Sequence, residues 1–371
     1  MKSIIPTSSS VDVPDLDLQK IRRALAAHGS CLGVSKTFSH IRPQFDVHLF
    51  DALPSTNTRL WEMLAAGYSS GTVAIARRQT AGRGQHGRTW QSEPGGLYLS
   101  LALEPDWPAG MSAQLTCLSA WGIATAFNNL GIPLRVKWPN DLFFNGKKLG
   151  GILTETKLSY PPSQCEGTVG LSDAQPLIPP LIKQAVIGVG INWHNSVPET
   201  GTTLAKILSG GTYPTAQNKI NCLEVLIALV LRGIMQGTFF YQQVGSQVFM
   251  KAYQKLLTQV GNVVSINYGM TDSVGFNDGF EVNSEDDFAE RFHAQSIRIR
   301  QVRANSVGSF GASSGGSSGK VVGISEEGYL QVAFEKNSPA SCHSNGETVV
   351  NHTADAADNV LLVKPSEIHI S

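Results

Sequence analysis

The sequence lacks the cysteine spacing of a zinc ribbon or a redox motif. Its five cysteines lie far apart in 371 residues, and none belongs to a C-x-x-C pair, which argues against both a zinc site and a disulfide framework. A signal-peptide apolar segment is also missing, and no stretch has the roughly 18 uninterrupted apolar residues that a membrane span requires. We therefore expect a cytoplasmic protein that does not insert into a membrane.

An excess of charge of either sign is missing as well. The chain has 29 lysines and arginines against 29 aspartates and glutamates, so no global field favours nucleic acid or an anionic membrane. Any charge-driven binding must come from a local cluster. Hydrophobic residues make up 42% of the chain, which is enough for one large core and a smaller one.

The pattern of residues predicts three regions. Residues 1–46 contain one short helix, near residues 16–27, and too few apolar positions for a core of their own, so we interpret them as an appendage. Residues 47–258 alternate between helix-like and strand-like stretches, as in a mixed α/β or α+β domain. Residues 259–371 contain short β-like runs without convincing helices, as in a small β-barrel. Two low-complexity stretches, about 157–184 and 305–319, are predicted to be flexible surface insertions.

Local signals define several elements of the large domain. Asn57 is predicted to cap a helix that ends at Gly67, and residues 112–130 are predicted to form a buried helix. Alternating leucines over residues 97–103 predict a strand. Asn145-Gly146 between two apolar runs predicts a type I′ hairpin.

A segment rich in glycine and arginine, residues 79–90, carries the most information. Its three glycines, Gly82, Gly84 and Gly87, let backbone amides approach a ligand, and Arg83 and Arg88 supply donors for phosphate or carboxylate. An anion-binding loop is one interpretation. A solvated surface loop is the other when the segment is considered alone.

The same glycines match the G-x-G-x-x-G dinucleotide fingerprint, with Glu104 near the place of its ribose-binding acid. That fingerprint must open a helix, however, and residues 88–96 include Pro94-Gly95-Gly96 before the next strand begins. A crossover helix has no room there. A Walker P-loop fails because no G-K-[ST] follows the glycines.

Two further segments present polar groups on strands. In residues 134–138, a period of two places Arg135 and Lys137 on the face opposite the apolar side chains. We expect the Arg135 side chain to be exposed to water, whereas Lys137 is equally compatible with a binding site and with solvent.

The predicted hairpin returns through Lys148 and paired glycines. In residues 187–193, Gly188 and Gly190 leave one strand face bare, which suits a flat ligand or close packing against a helix.

Taken in order, five segments resemble the motif series of biotin protein ligases. They are Ser55-Thr56-Asn57, residues 79–90, Lys137-Trp138-Pro139-Asn140-Asp141, Lys148-Leu149-Gly150-Gly151-Ile152-Leu153 and Gly188-Val189-Gly190-Ile191-Asn192. The resemblance covers about residues 46–258. It implies an α+β, mixed-sheet catalytic domain of the class II synthetase-like biotin/lipoate ligase type, followed by a small SH3-like β-barrel.

The resemblance also implies a two-step reaction with ATP and Mg²⁺, in which biotin is activated as biotinyl-5′-AMP and then transferred to a lysine of the biotin carboxyl carrier protein of acetyl-CoA carboxylase. The expected catalytic residues are Lys148 and Arg83. Those expected to bind biotin are Ser55, Thr56, Asn57, Gln79, Gly82, Arg83, Gly84, Gln85, Lys148 and Gly151. Those expected to bind ATP are Arg83, Arg88, Trp90, Lys137, Asn140, Asp141 and Asn192, with Asp141 also expected to help hold the metal.

The chain departs from the resemblance in two places. Many relatives carry arginine where this sequence has Gln85 and His86, so retention of the adenylate is expected to be weaker. The first 46 residues lack the helix-turn-helix pattern of bifunctional relatives, so no nucleic acid partner is expected. The chain is expected to be a monomer or a homodimer. A lipoate ligase or octanoyl transferase of the same architecture and a noncatalytic biotin sensor remain the alternatives.

Overall fold

The computed structural model describes residues 16–160, 179–268, 297–301, 316–333, 360–363 and 368–370. Its largest element is a sheet of eight strands. These are β1 (Asp46–Leu53), β2 (Thr72–Gln79), β3 (Leu97–Leu103), β4 (Trp107–Pro108), β5 (Arg135–Lys137), β6 (Asp141–Phe144), β7 (Lys147–Ser159) and β8 (Leu181–Ile191).

This sheet is mixed, with the order β1-β2-β3-β8-β7-β6-β5 and β4 paired to β8. Only β1 and β2 run parallel, whereas β2 and β3 are antiparallel. The glycine-rich segment joins these two antiparallel strands and does not lead into a crossover helix. The expectation that it is not a dinucleotide fingerprint is therefore confirmed, as is the α+β, mixed-sheet class.

Six helices accompany the sheet in the described residues. They are α1 (Leu18–Ala26), α2 (Thr56–Ala65), α3 (Ser112–Asn129), α4 (Leu204–Ser209), α5 (Pro214–Lys219) and α6 (Leu223–Gln254). Helices α3 and α6 enclose the main core, which includes Leu99 and Leu101 of β3. Helix α2 forms a smaller cluster with Ala102 of the same strand. Because neighbouring residues of a strand point to opposite faces, the sheet is covered on both sides.

Helix α6 is long and apolar enough to cross a membrane by length and composition, and 67% of its most apolar stretch is buried inside the fold. Such burial is what the core helix of a globular domain shows. The N-terminal residues from 16 to 45 pack on the same helix. Arg232 of α6 is 2% exposed, and its guanidinium donates to the carbonyl oxygens of Leu25 at 3.2 Å and Ser39 at 3.5 Å.

A second sheet has the order β13-β12-β11-β9-β10-β14. Its strands are β9 (Val263–Tyr268), β10 (Ile297–Gln301), β11 (Gly316–Ile324), β12 (Leu330–Ala333), β13 (Val360–Val363) and β14 (Ile368–Ile370). The turn between β11 and β12 touches the main body, since the indole nitrogen of Trp138 donates to the Gly328 carbonyl at 3.0 Å.

Three sequence expectations change in the described residues. Helix α2 begins at Thr56 with Ser55 at its N-cap, so Asn57 lies inside the first turn and is not the cap. The ends of the expected insertion at 157–184 belong to the long strands β7 and β8, because their ladder pairs Ser159 with Leu181. Residues 316–319 of the expected insertion at 305–319 likewise lie in β11. Residues 161–178 and 305–315 lie outside the described residues.

Other local expectations are confirmed. Strand β3 and helix α3 occupy the expected residues within one position. Asn145 and Gly146 join β6 to β7 with φ of 47° and 77°, the positive values that a type I′ turn requires. The sequence signals were reliable here because each depends on a short stretch of chain.

Glycine lets α3 and α6 approach each other closely. A Cβ at Gly122 would collide with the Gly233 carbonyl oxygen, and one at Gly237 would collide with the Leu118 carbonyl oxygen. In both cases the obstacle is backbone, which cannot rotate away as a side chain does. The separation of these two helices is therefore set by residues without side chains.

We expect Gly237→Ala to lower the free energy of unfolding by about 1–3 kcal/mol because the added methyl overpacks the contact with α3. This outcome opposes the gain of roughly 1 kcal/mol that alanine normally gives in a helix. Urea denaturation measures the change. Gly110→Ala is the control, since nothing lies within 4 Å of its Cβ position; equal midpoints for both variants would contradict the close approach.

Candidate active site

A cleft that opens to solvent lies beside the central strands of the main sheet. Four parts of the chain line it: the start of α2, the loop after β2, the β5–β7 hairpins and the middle of β8. The lining residues are Ser55, Thr56, Asn57, Gln79, Arg83, Gly84, Gln85, His86, Arg88, Thr89, Trp90, Lys137, Pro139, Asn140, Asp141, Lys148, Gly151, Ile152, Leu153, Gly188, Val189 and Gly190.

Positive charge is concentrated in this cleft, although the chain as a whole has none in excess. Four of the lining residues are lysines or arginines, and Asp141 is the one carboxylate among them. Such a local excess attracts anions, because the low-dielectric walls of a cleft strengthen the field inside it. The cleft is therefore suited to a ligand with phosphate or carboxylate groups.

The β6–β7 hairpin positions Lys148 at the cleft. Its Nζ lies 2.6 Å from Oδ1 of Asp141 on the neighbouring strand and 5.2 Å from the ring centroid of Trp90. Backbone hydrogen bonds from Lys148 to the Thr200 carbonyl and from Thr202 to the Lys148 carbonyl, at 3.0 and 2.9 Å, fix the strand at this residue. Lys147, one position earlier, is exposed and its Nζ donates instead to the Glu199 carbonyl at 3.3 Å.

Polar groups at the start of α2 form a connected network. The side-chain oxygen of Gln79 accepts from the backbone amide of Thr56 at 2.8 Å, so Gln79 satisfies one of the first-turn amides that have no acceptor within the helix. Ser100 donates to Oδ1 of Asn57 at 2.6 Å and lies 2.8 Å from the Thr56 hydroxyl. Ser55, Thr56 and Asn57 are all buried, so their polar atoms are held in fixed directions.

The bare face of β8 is occupied by two side chains from other elements. A Cβ at Gly188 would collide with the Asn57 amide, and a Cβ at Gly190 would lie 2.5–3.0 Å from atoms of the Trp90 indole. The indole nitrogen of Trp90 is buried and has no hydrogen-bond partner in the part of the chain that the structure describes. The expectation of close packing against a helix is therefore confirmed at Gly188, where Asn57 of α2 packs, whereas the flat-ligand alternative stays a prediction.

The cleft loop, residues 80–92, closes one side of the cleft. It folds back on itself through an isolated bridge between Arg83 and Thr89 and through a hydrogen bond from the Trp90 amide to the Gly82 carbonyl at 2.9 Å. The Arg83 guanidinium lies 2.9 Å from Oε1 of Glu155, with about half of the arginine side chain exposed. The loop thus has its own backbone contacts and an ion pair to β7.

Two expected site residues lie outside the lining. Gly82 is buried within the cleft loop, where a Cβ would collide with the Trp90 carbonyl oxygen. Asn192 follows β8, is 6% exposed, and its side-chain oxygen accepts from Asn195 at 3.0 Å. The remaining expected residues, including Asn140 and Gly151, line the cleft together. Among the residues that the structure describes, no group of three His, Cys, Asp or Glu side chains is placed to hold a metal.

Sequence reasoning missed three polar residues of this network. Ser92 accepts from the Gln79 side-chain amide at 2.8 Å, Ser100 joins Thr56 and Asn57, and Glu155 contacts Asn57 and Arg83. Glu155 had a usable signal, because it is the one acidic residue in the thirteen-residue strand β7. Ser92 and Ser100 had none, because serine is ordinary in loops and strands.

Burial of Lys137 lowers its pKa, against a raising effect from Asp141, and the charges of Lys148 and Arg88 lower it further. Its ammonium also lies 5.8 Å from the ring centroid of Phe143. The charged form of this lysine is therefore less favourable in the folded protein than in the unfolded chain.

We expect Lys137→Met to raise the free energy of unfolding at pH 7, because the variant removes a desolvated charge. Between the lowered pKa and 10.5 the unfolded chain binds more protons, so wild-type stability rises with pH and the difference between the proteins shrinks. Urea midpoints at pH 7 and pH 10 measure both effects, with the exposed Lys147→Met as control. A lower midpoint for Lys137→Met at pH 7 would contradict this assignment.

Most of the chain that forms this cleft is similar in sequence to known proteins. Residues 49–170 match the family model described as "Biotin/lipoate A/B protein ligase family". The "Bifunctional ligase/repressor BirA" of Bacillus subtilis is 34% identical over 164 residues, which are 43% of this chain and 45% of that protein. The "Biotin--[acetyl-CoA-carboxylase] ligase" of Paracoccus denitrificans is 39% identical over 113 residues, 30% of this chain and 47% of that protein.

The matched part of the chain thus spans about half the length of these curated relatives. Among solved structures, the apo biotin protein ligase from Aquifex aeolicus aligns with a TM-score of 0.50 at 19% identity, over 87% of this chain and 97% of that one. At this identity the likeness concerns the fold. Together with the family match, it accounts for the mixed sheet and its helices. Residues 49–170 are therefore similar to the biotin/lipoate A/B protein ligase family, and both of these curated relatives are named as ligases.

Proposed function

We propose that this protein activates biotin with ATP as biotinyl-5′-AMP and transfers it to a lysine of a biotin carboxyl carrier protein or domain. One observation carries the proposal: Lys148 and Arg83 line the same cleft as the buried polar residues at the start of α2. A carboxylate and a polyphosphate repel each other, so their reaction requires cations fixed beside the point where they meet. The cleft supplies such cations next to a rigid set of donors and acceptors.

The start of α2 suits the ureido ring of biotin. That ring offers two N–H donors and one carbonyl acceptor, and Ser55, Thr56 and Asn57 supply hydroxyl and amide groups whose directions are fixed by burial and by Ser100. Gln79 already satisfies the Thr56 amide. Because Ser55 makes no capping hydrogen bond, its hydroxyl remains available for a ligand.

A second group of lining residues suits ATP. It comprises Lys137, Arg88, Trp90, Asn140 and Asp141, and the buried indole N–H of Trp90 has no acceptor among the described residues. The amide of Asn140 donates to the Ile152 carbonyl at 2.7 Å, so it positions the hairpin. Asp141 alone fits a Mg²⁺ ion that is held mainly by ATP phosphates, since protein carboxylates often supply only one or two of its ligands. Bound Mg²⁺ would neutralise phosphate charge.

In the proposed reaction the biotin carboxylate attacks the α-phosphate, and pyrophosphate leaves. Lys148 bridges the two anions, and Arg83 stabilises the charge that develops as they approach. The carrier lysine, as a neutral amine, then attacks the mixed anhydride, which releases AMP and forms the amide. The cleft loop shields the adenylate from water between these steps.

Mass spectrometry tests this function against its alternatives. The protein is incubated with ATP and biotin, lipoic acid or octanoic acid, and acyl-AMP is measured before and after addition of a biotin carboxyl carrier domain. We expect biotinyl-AMP and a biotinylated carrier. Lipoyl- or octanoyl-AMP without biotinyl-AMP would replace the proposal with a lipoate-type ligase, and biotin binding without pyrophosphate release would leave a noncatalytic sensor.

We expect Lys148→Ala to lower the rate of biotinyl-AMP formation by about 10²–10³-fold, as loss of one preorganised charge-stabilising donor does in other enzymes. Pyrophosphate release measures this rate. Lys147→Ala is the matched control, because Lys147 is the neighbouring lysine and its ammonium contacts the Glu199 carbonyl. Equal rates for the two variants would show that Lys148 is not the bridging cation.

A further inference from the structure

Glu155 stands behind the cleft and outside its lining, with a side chain about one-fifth exposed. Its two carboxylate oxygens have separate partners. Oε1 pairs with the Arg83 guanidinium at 2.9 Å, whereas Oε2 accepts from the Asn57 side-chain amide at 2.8 Å and from the Trp61 indole at 3.4 Å. One carboxylate thus contacts the cleft loop and the start of α2 together.

The contact with Asn57 determines which way its amide points. An asparagine amide has a donor end and an acceptor end, and nothing in its shape distinguishes them. Here the NH₂ end donates to Glu155 and, at 3.4 Å, to the Leu153 carbonyl, whereas the oxygen accepts from Ser100. Both hydrogens are used inside the protein, so Asn57 offers only its oxygen to a ligand.

The contact with Arg83 restrains the cleft loop. Arg83 is one of the basic side chains that line the cleft, and its guanidinium forms an ion pair with Glu155 of β7. A partly exposed pair of this kind contributes modestly, because water screens it. It is strong enough to favour one position of the loop and weak enough to be exchanged for an anionic ligand.

From these contacts we infer that Glu155 is a positioning residue with two separable tasks: it fixes the Asn57 amide as a hydrogen-bond acceptor in the cleft, and it holds the cleft loop through Arg83. The first task rests on the proposed function, since it makes Asn57 an acceptor for a biotin N–H group. The second concerns the protein without any ligand.

Two variants separate the tasks. Glu155→Gln removes the charge and keeps an oxygen that accepts from Asn57, so it weakens only the contact with Arg83. Glu155→Met keeps a side chain of similar length and removes both contacts. Glu62→Gln is the control, because Glu62 forms a comparable ion pair at 2.9 Å with Arg59 on the surface of α2.

Limited trypsin digestion of the ligand-free protein tests whether Glu155 holds the cleft loop. Cleavage after Arg83 or Arg88 requires this loop to open. We expect Glu155→Gln and Glu155→Met to be cleaved there about two- to five-fold faster than wild type, the range of a partly exposed ion pair, and Glu62→Gln to be cleaved at the wild-type rate. In an Arg83→Gln background, Glu155→Gln should leave cleavage after Arg88 unchanged. Unchanged cleavage in the single variants would overturn the loop task.

Steady-state kinetics of biotin-dependent pyrophosphate release test whether Glu155 fixes the orientation of the Asn57 amide. We expect Glu155→Met to raise the KM for biotin about ten-fold more than Glu155→Gln does, the scale of one lost hydrogen bond, with kcat changed by less than about two-fold. Equal KM values for the two variants, or a loss confined to kcat, would overturn the Asn57 task. If the wild-type protein releases no pyrophosphate, the proposed function is refuted. The digestion experiment still tests the loop task, because it uses no ligand.

Discussion

Mutual repulsion among the cations of one cleft is the constraint on which the rest of this structure depends. Arg83, Arg88, Lys137 and Lys148 line the same cleft, and like charges gathered in one cleft destabilise the folded chain unless anions offset them. The protein meets this constraint with two carboxylates on neighbouring strands: Asp141 pairs with Lys148, and Glu155 pairs with Arg83. The lowered pKa of Lys137 reflects the burial and repulsion that remain.

The antiparallel ladder converts that arrangement into fixed geometry. Asp141 on β6 is registered with Gly151 on β7, and β7 is registered with β8 over most of its length. The carboxylates therefore keep their positions relative to the glycines of β8, on which Asn57 and Trp90 pack. Glycine is needed at these positions because any side chain would collide with the Asn57 amide or the Trp90 indole. Charge and shape in the site are thus set by the same three strands.

Much of this could be predicted from sequence because the signals are local. The alternation in β3, the Asn145-Gly146 turn and the bare face of β8 each involve a few consecutive residues. Properties that arise from distant partners could not be predicted. Ser55, rather than Asn57, occupies the cap of α2, and the amide of Thr56 donates to Gln79 of β2, a partner 23 residues away in sequence. Asn192 turns toward Asn195, and Glu155 gains its partners only when β7, α2 and the cleft loop meet.

The two halves of the cleft differ in how easily they can rearrange. Asn57, Thr56 and Ser100 are buried and joined by neutral hydrogen bonds, and breaking such a network leaves unsatisfied polar groups. Lys148 and Arg83 are one-third and one-half exposed in their ion pairs, so water screens those pairs and partner exchange costs little. In the proposed reaction the uncharged ring of biotin meets the rigid half, and the reacting anions meet the exchangeable half. Asp141 and Glu155 then hold the cations in place until the carboxylate and phosphates of the substrates replace them.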